Sequence, residues 1–109
     1  MKWIRMDTKR IRGWATFHQE FKKVFGFPDF YGANMDAWID CMSYLRDPDA
    51  GMSQITVGRG EQLMLEVVDS NGFRARCPEQ FEALIECTAF VNRRYVSSDS
   101  PPMLALILL

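Results

Sequence analysis

Two carboxylates, Asp36 and Asp40, stand four residues apart in a stretch of helical periodicity, so they share one face of a helix. Like charges at that spacing cost about 0.2–0.5 kcal/mol when exposed. Asp36, at the helix N-terminus, recovers a similar amount from the helix dipole, and Asp40, beyond the first turn, recovers less. The pair reads either as a solvated face or as an acidic patch, flanked by Phe30, Tyr31 and Ile39, that docks into a basic pocket. Other groups offer less chemistry. His18 is the only histidine, with no nucleophile beside it, and general acid–base work needs a positioned partner. Cys41, Cys77 and Cys87 are odd in number and lack motif spacing, which argues against a disulfide framework and against a zinc site. Cys41 and Cys87 fall in helical patterns and read as small buried hydrophobes. Glu66 and Asp69 would be paired acids at a strand end, but nothing supplies the base, metal or cofactor they would need. The stretch Gly58-Arg59-Gly60 lacks both the spacing and the following helix of a phosphate loop. No cofactor is expected, and the sequence favours a binding module over an enzyme.

The elements around the acidic pair are set by punctuation and periodicity. Trp14, Phe17, Phe21, Val24 and Phe25 keep helical spacing, giving a first helix with an aromatic stripe beside His18. Pro28 disfavours helix for the residue before it, so this helix stops near Gly26. Gly32 permits a turn that a Cβ would resist. Asn34 is an N-cap for a second helix, on which Met35, Trp38, Met42 and Leu45 form the buried side. Trp3–Met6 is a short first strand. Arg46 to Gly60 is a loop, with Gln54–Val57 as a possible extra edge strand hairpinned through Gly58-Arg59-Gly60 onto the next strand. Leu63–Val68 is an apolar strand read as buried on both faces. Asp69–Gly72 is a turn cluster. Pro78 opens a third long helix, which carries Phe81, Leu84, Ile85, Thr88 and Val91 and ends near Arg93 and Arg94. Ser97–Pro102 breaks the chain, and Met103–Leu109 is read as a buried central strand. Strands alternating with helices imply an α/β fold, a three-stranded parallel sheet covered by three main helices.

Residues 1–109 are long enough for one domain and too short for two. With 48% hydrophobic residues the chain suits a compact globule, and a net charge of −1 argues against a free-standing nucleic-acid binder. The charge is uneven. Residues 1–23 hold seven basic and two acidic side chains, and residues 24–53 hold one basic and five acidic. A negative field around the second helix would steer a basic partner, unless folding lets the two blocks screen each other. Lys2 and Arg5 interrupt any signal-like apolar run, and no segment reaches the roughly 20 residues of a membrane span. The expectation is a cytoplasmic monomer that engages neither membrane nor nucleic acid.

A run of specific residues sharpens this. His18-Gln19, Lys22-Lys23, Pro28, Tyr31-Gly32, Asn34, Asp36-Ala37 and Asp40-Cys41 resemble the barstar family, intracellular inhibitors of the secreted bacterial ribonuclease barnase. The match is continuous from about Phe17 to Met42 and resumes over Leu63–Glu66. The resemblance implies the same α/β sheet. It also implies a second helix and preceding loop that plug a nuclease active site, made basic to hold RNA phosphates. Asp40 aligns with the family's principal inserted acid and Asp36 with its companion. Phe30 stands where the family has a tyrosine, and Ile39 where it has an interface tryptophan; Trp38, one residue earlier, is core by helical count. A further family acid on the third helix aligns near Cys87, with Glu86 adjacent. The loop 46–60 is an insertion relative to typical members, and its Asp47 and Asp49 either extend the binding surface or decorate it. The candidate partner-binding residues are therefore Phe30, Tyr31, Gly32, Asn34, Asp36, Ile39, Asp40 and Glu86. The reading is an inhibitor or immunity protein against a barnase-like ribonuclease other than barnase. The alternatives are an adaptor that keeps the fold without a nuclease target, and a small hydrolase built on His18.

Overall fold

The computed structural model describes residues 1–95 and 101–109. In chain order the elements are β1 (Lys2–Asp7), α1 (Trp14–Phe25), α2 (Met35–Ser43), β2 (Leu63–Val68), α3 (Ser70–Arg76), α4 (Pro78–Arg93) and β3 (Leu104–Leu108), with short 3-10 turns at Thr8–Arg10 and Pro48–Ala50. The three strands form one parallel sheet in the order β1-β2-β3. Lys2 faces Leu63 and Leu63 faces Leu104 across the ladders. The expected α/β architecture is therefore present, with one helix more than the three long ones the periodicity shows.

The core forms where the apolar stripes of helices and sheet meet. Phe17, Phe21 and Phe25 of α1, Trp38, Cys41 and Met42 of α2, and Leu63, Leu65 and Val67 of β2 are all buried, joined by Leu84 and Val91 of α4. The Phe21 and Trp38 rings meet edge to face with centroids 5.7 Å apart, which ties α1 to α2. Trp38 is fully buried, as its helical position requires.

Four expectations are corrected. Asp69–Gly72 does not stay a turn: Asp69 takes a left-handed conformation (φ 59°) and starts α3. The first helical residue, Ser70, donates both its N–H and its hydroxyl to the Leu109 carbonyl, and Phe73 is driven into the core. The central strand is β2, not β3. An apolar strand reports what covers its faces, not how many neighbours it pairs with, and β3 runs along the sheet edge with Leu108 exposed. β2 itself alternates, with Leu63, Leu65 and Val67 buried and Met64, Glu66 and Val68 half-buried, so only one face is sealed. Among the described residues no fourth strand forms over 54–57. That segment bonds elsewhere, its Gln54 N–H donating to the Phe25 carbonyl and its Val57 N–H to the Leu45 carbonyl. The expected break over Ser97–Pro102 falls mostly outside the described residues.

Candidate functional site

The loop between α1 and α2 is built inward from its aromatic residues. Gly26 adopts the left-handed conformation (φ 66°) that ends α1, and its N–H donates to the Lys22 carbonyl. Phe27 is buried, stacked on Phe25 at 5.7 Å and against Tyr31 at 4.8 Å. A turn closed by the Tyr31 N–H on the Pro28 carbonyl (2.9 Å) points the two neighbouring rings in opposite directions. Tyr31 turns inward, its hydroxyl 2.6 Å from Nδ1 of buried His18, and Phe30 turns outward with 75% of its surface exposed. Burial lowers the His18 pKa and raises that of Tyr31, so near neutral pH the pair is an uncharged hydrogen bond. The histidine's hydrogen-bond partner is thus a tyrosine thirteen residues on, in the loop that leads to α2.

The left-handed residue in the turn is Ala33 (φ 53°), not Gly32, so the backbone strain of this loop sits beside the helix cap. A Cβ on Gly32 would meet only ordinary contacts, the nearest at 3.4 Å, which removes the conformational reason expected for that glycine. Asn34 caps α2 as expected, its side-chain oxygen accepting the Ala37 N–H at 2.8 Å.

From that cap α2 turns Trp38 and Met42 into the core and leaves Asp36 and Asp40 exposed. Ile39 lies half-buried between them, at the seam with α4. Across the seam, Glu86 is exposed and shares an open groove of about 560 Å³ with Ile39, Ile85, Cys87, Phe90 and Arg93. Burial raises the Cys87 pKa, and the carboxylates of Glu86 and Asp36 raise it further, so acids from two helices converge there. On the other flank of α2, Asp40 opens on a shallow depression of about 150 Å³ with Phe30, Gly32 and Met52. Burial, with the nearby Asp40 charge, pushes the Cys41 thiol up to about 11, so that cysteine is an inert core group.

The structure thus places Asp36, Ile39 and Glu86 along the flank of α2 that meets α4, and Phe30 and Asp40 on its other flank, with Tyr31 and Asn34 in supporting positions in the loop and at the cap. Among the described residues the ion pairs are Met1 amino group–Glu61, Arg5–Glu66 and Arg76–Asp69, and none involves Asp36, Asp40 or Glu86. The basic and acidic blocks of the chain are therefore not cross-paired. Glu66 and Asp69, the paired acids of the strand end, lie 3.5 Å from Arg5 and 3.9 Å from Arg76 respectively. No group of metal-ligating side chains occurs among the described residues.

The sequence matches the family described as Barstar (barnase inhibitor) over residues 1–107. This chain belongs to the barstar family. Members of that family are inhibitors rather than enzymes, in keeping with a site of exposed acids and apolar groups. Among the described residues no helix of this barstar-family chain is long and apolar enough to cross a membrane.

Three further apolar side chains lie exposed or half-buried beside these residues, two in the groove and one in the depression, and the sequence pattern does not single them out. Ile85, expected in the buried stripe of its helix, lies one residue off the stripe that Leu84, Thr88 and Val91 define and is 42% exposed. Phe90 obeys the same logic at 45%. Met52 carries no sequence signal, because the path of its loop is set by distant hydrogen bonds.

Proposed function

We propose that this chain inhibits a barnase-like ribonuclease, as a self-protection or immunity protein of a bacterial cytoplasm, by seating the loop 27–34 and α2 in the enzyme's basic active site. The observation that carries this reading is the unneutralised acidic face: three carboxylates on two packed helices, flanked by an outward phenylalanine, with no ion pair among the described residues reaching any of them. Leaving like charges together costs folding energy. A partner with arginines and lysines arranged for RNA phosphates would offset that cost through charge-assisted hydrogen bonds. Asp40, beside Phe30, is the acid we place in the phosphate pocket, with Asp36 and Glu86 engaging the rim and Ile39 the apolar contact between them.

The test is to measure the dissociation constant with a barnase-like ribonuclease for Asp40→Ala and Asp47→Ala. Asp47 is an exposed acid of the 44–62 connection that lines neither the groove nor the depression. A desolvated, paired carboxylate is worth far more than a rim charge, so Asp40→Ala should weaken binding by at least about thirtyfold and Asp47→Ala by less than about threefold. Equal effects would mean the interface lies elsewhere.

A further inference from the structure

The connection from α2 to β2, residues 44–62, contains only one 3-10 turn, and structureless loops of that length are uncommon unless they bind or move. This one is tied down along its course. The Arg46 guanidinium donates to the Glu61 carbonyl at 2.7 Å and lies over the Tyr95 ring at 4.9 Å. Val57 is buried, and the Lys2 ammonium donates to the Thr56 carbonyl. The Ser53 hydroxyl (2.8 Å) and the Gln54 N–H (3.0 Å) both donate to the Phe25 carbonyl at the end of α1, and the Ser53 oxygen in turn accepts the Ile55 N–H. The Gln54 side chain lies directly on Gly26, where a Cβ would approach within 2.7 Å. The outcome of these ties is that Met52, half-buried, is fixed in the depression shared by Phe30 and Asp40.

An exposed carboxylate contributes little to binding unless water is kept from it. Asp40 has Phe30 on the loop side, and Met52 supplies the second apolar wall. Resting on the docking reading above, we propose that Met52 is a positioning residue of the interface. Held by the 44–62 connection, it excludes water from the Asp40 carboxylate once the nuclease's cation is engaged, and it requires the partner to present an apolar group beside that cation.

The experiment is a double-mutant cycle on binding to a purified barnase-like ribonuclease, using Asp40→Asn with Met52→Gln, a polar side chain of similar length. Asp40→Asn should cost at least about thirtyfold in affinity in the parent and about fivefold less in the Met52→Gln background, because a wetter carboxylate has less to lose. Ser53→Ala, which loosens the anchor without touching the surface, should reduce the Asp40 cost in the same direction. The cost of Glu86→Gln, on the other side of α2, should be the same in both backgrounds. An Asp40→Asn cost equal within twofold in all three backgrounds, or a Glu86 cost that shifts equally, overturns the role of Met52 and leaves the docking reading intact. A parent protein that binds no such nuclease overturns both.

Discussion

Replacing Tyr31 by phenylalanine removes a single oxygen from the candidate site and tests how its loop is held. The ring keeps its contacts with Phe27 and His18, at centroid distances of 4.8 and 5.6 Å, so no cavity opens. What is lost is the 2.6 Å hydrogen bond to Nδ1 of His18, a residue only 3% exposed, for which water cannot readily substitute. Leaving a buried polar atom without its partner costs about 1–3 kcal/mol. Taking about 1.5 kcal/mol, and roughly 4–8 °C per kcal/mol for domains near this size, Tm should fall by about 6–12 °C. Removing both partners together should cost less than the two single changes summed, because the orphaned group disappears with them. Urea unfolding at pH 7.5 of Tyr31→Phe, His18→Phe and the double variant gives the numbers. A Tyr31→Phe cost below about 0.3 kcal/mol, or strict additivity in the double variant, would refute the claim that this bond fastens the loop.

The same geometry yields three further outcomes. Burial lowers the His18 pKa, so the unfolded chain binds that proton more readily than the folded one. This contribution to stability is complete above the unfolded value of about 6.5 and is lost as pH falls from there through the folded pKa, at no more than about 1.4 kcal/mol per pH unit. Unfolding titrations between pH 7.5 and 5 should show the decline, and it should flatten in His18→Gln. Gly26→Ala should destabilise by about 2 kcal/mol or more, since a left-handed alanine costs about 1–2 kcal/mol and its Cβ would strike Gln54. Gly51→Ala, equally left-handed but in open space, should cost only the conformational part, and equal losses in the two variants would contradict the packing of the connection on Gly26. Association with a basic ribonuclease should slow as ionic strength rises from about 0.01 to 0.15 M, where the screening length shrinks from about 30 to 8 Å; stopped-flow rates independent of salt would count against steering by the acidic face.

The features legible in the sequence were local ones. Helical spacing placed Phe17, Phe21, Trp38 and Met42 in the core, and capping and proline preferences placed Asn34 and Pro78 at helix starts, because each depends on neighbours within a turn or two. The positions of Asp36 and Asp40 on the exposed face came from the same count. Illegible features depend on contacts distant in the chain. The order of strands, with β2 inside, is decided by how the crossovers lie and not by strand composition. The start of α3 is held by the carbonyl of Leu109, and Ser53 and Gln54 are held by the end of α1. Tyr31 and His18 were each visible as residues, but only the fold puts their polar atoms in contact. The glycine expected to make the site's turn is not the residue that does so, since Ala33 accepts the left-handed conformation in its place.

In the proposed function, α2 and its loop close a ribonuclease active site through Asp40. The most direct measurement is RNA cleavage by a panel of barnase-like ribonucleases, titrated with this protein and in parallel with Asp40→Ala. At least one enzyme should lose all activity at a one-to-one ratio, and the Asp40→Ala protein should leave cleavage largely intact at the same ratio. Undiminished cleavage across the panel, or inhibition that survives Asp40→Ala unchanged, would contradict it.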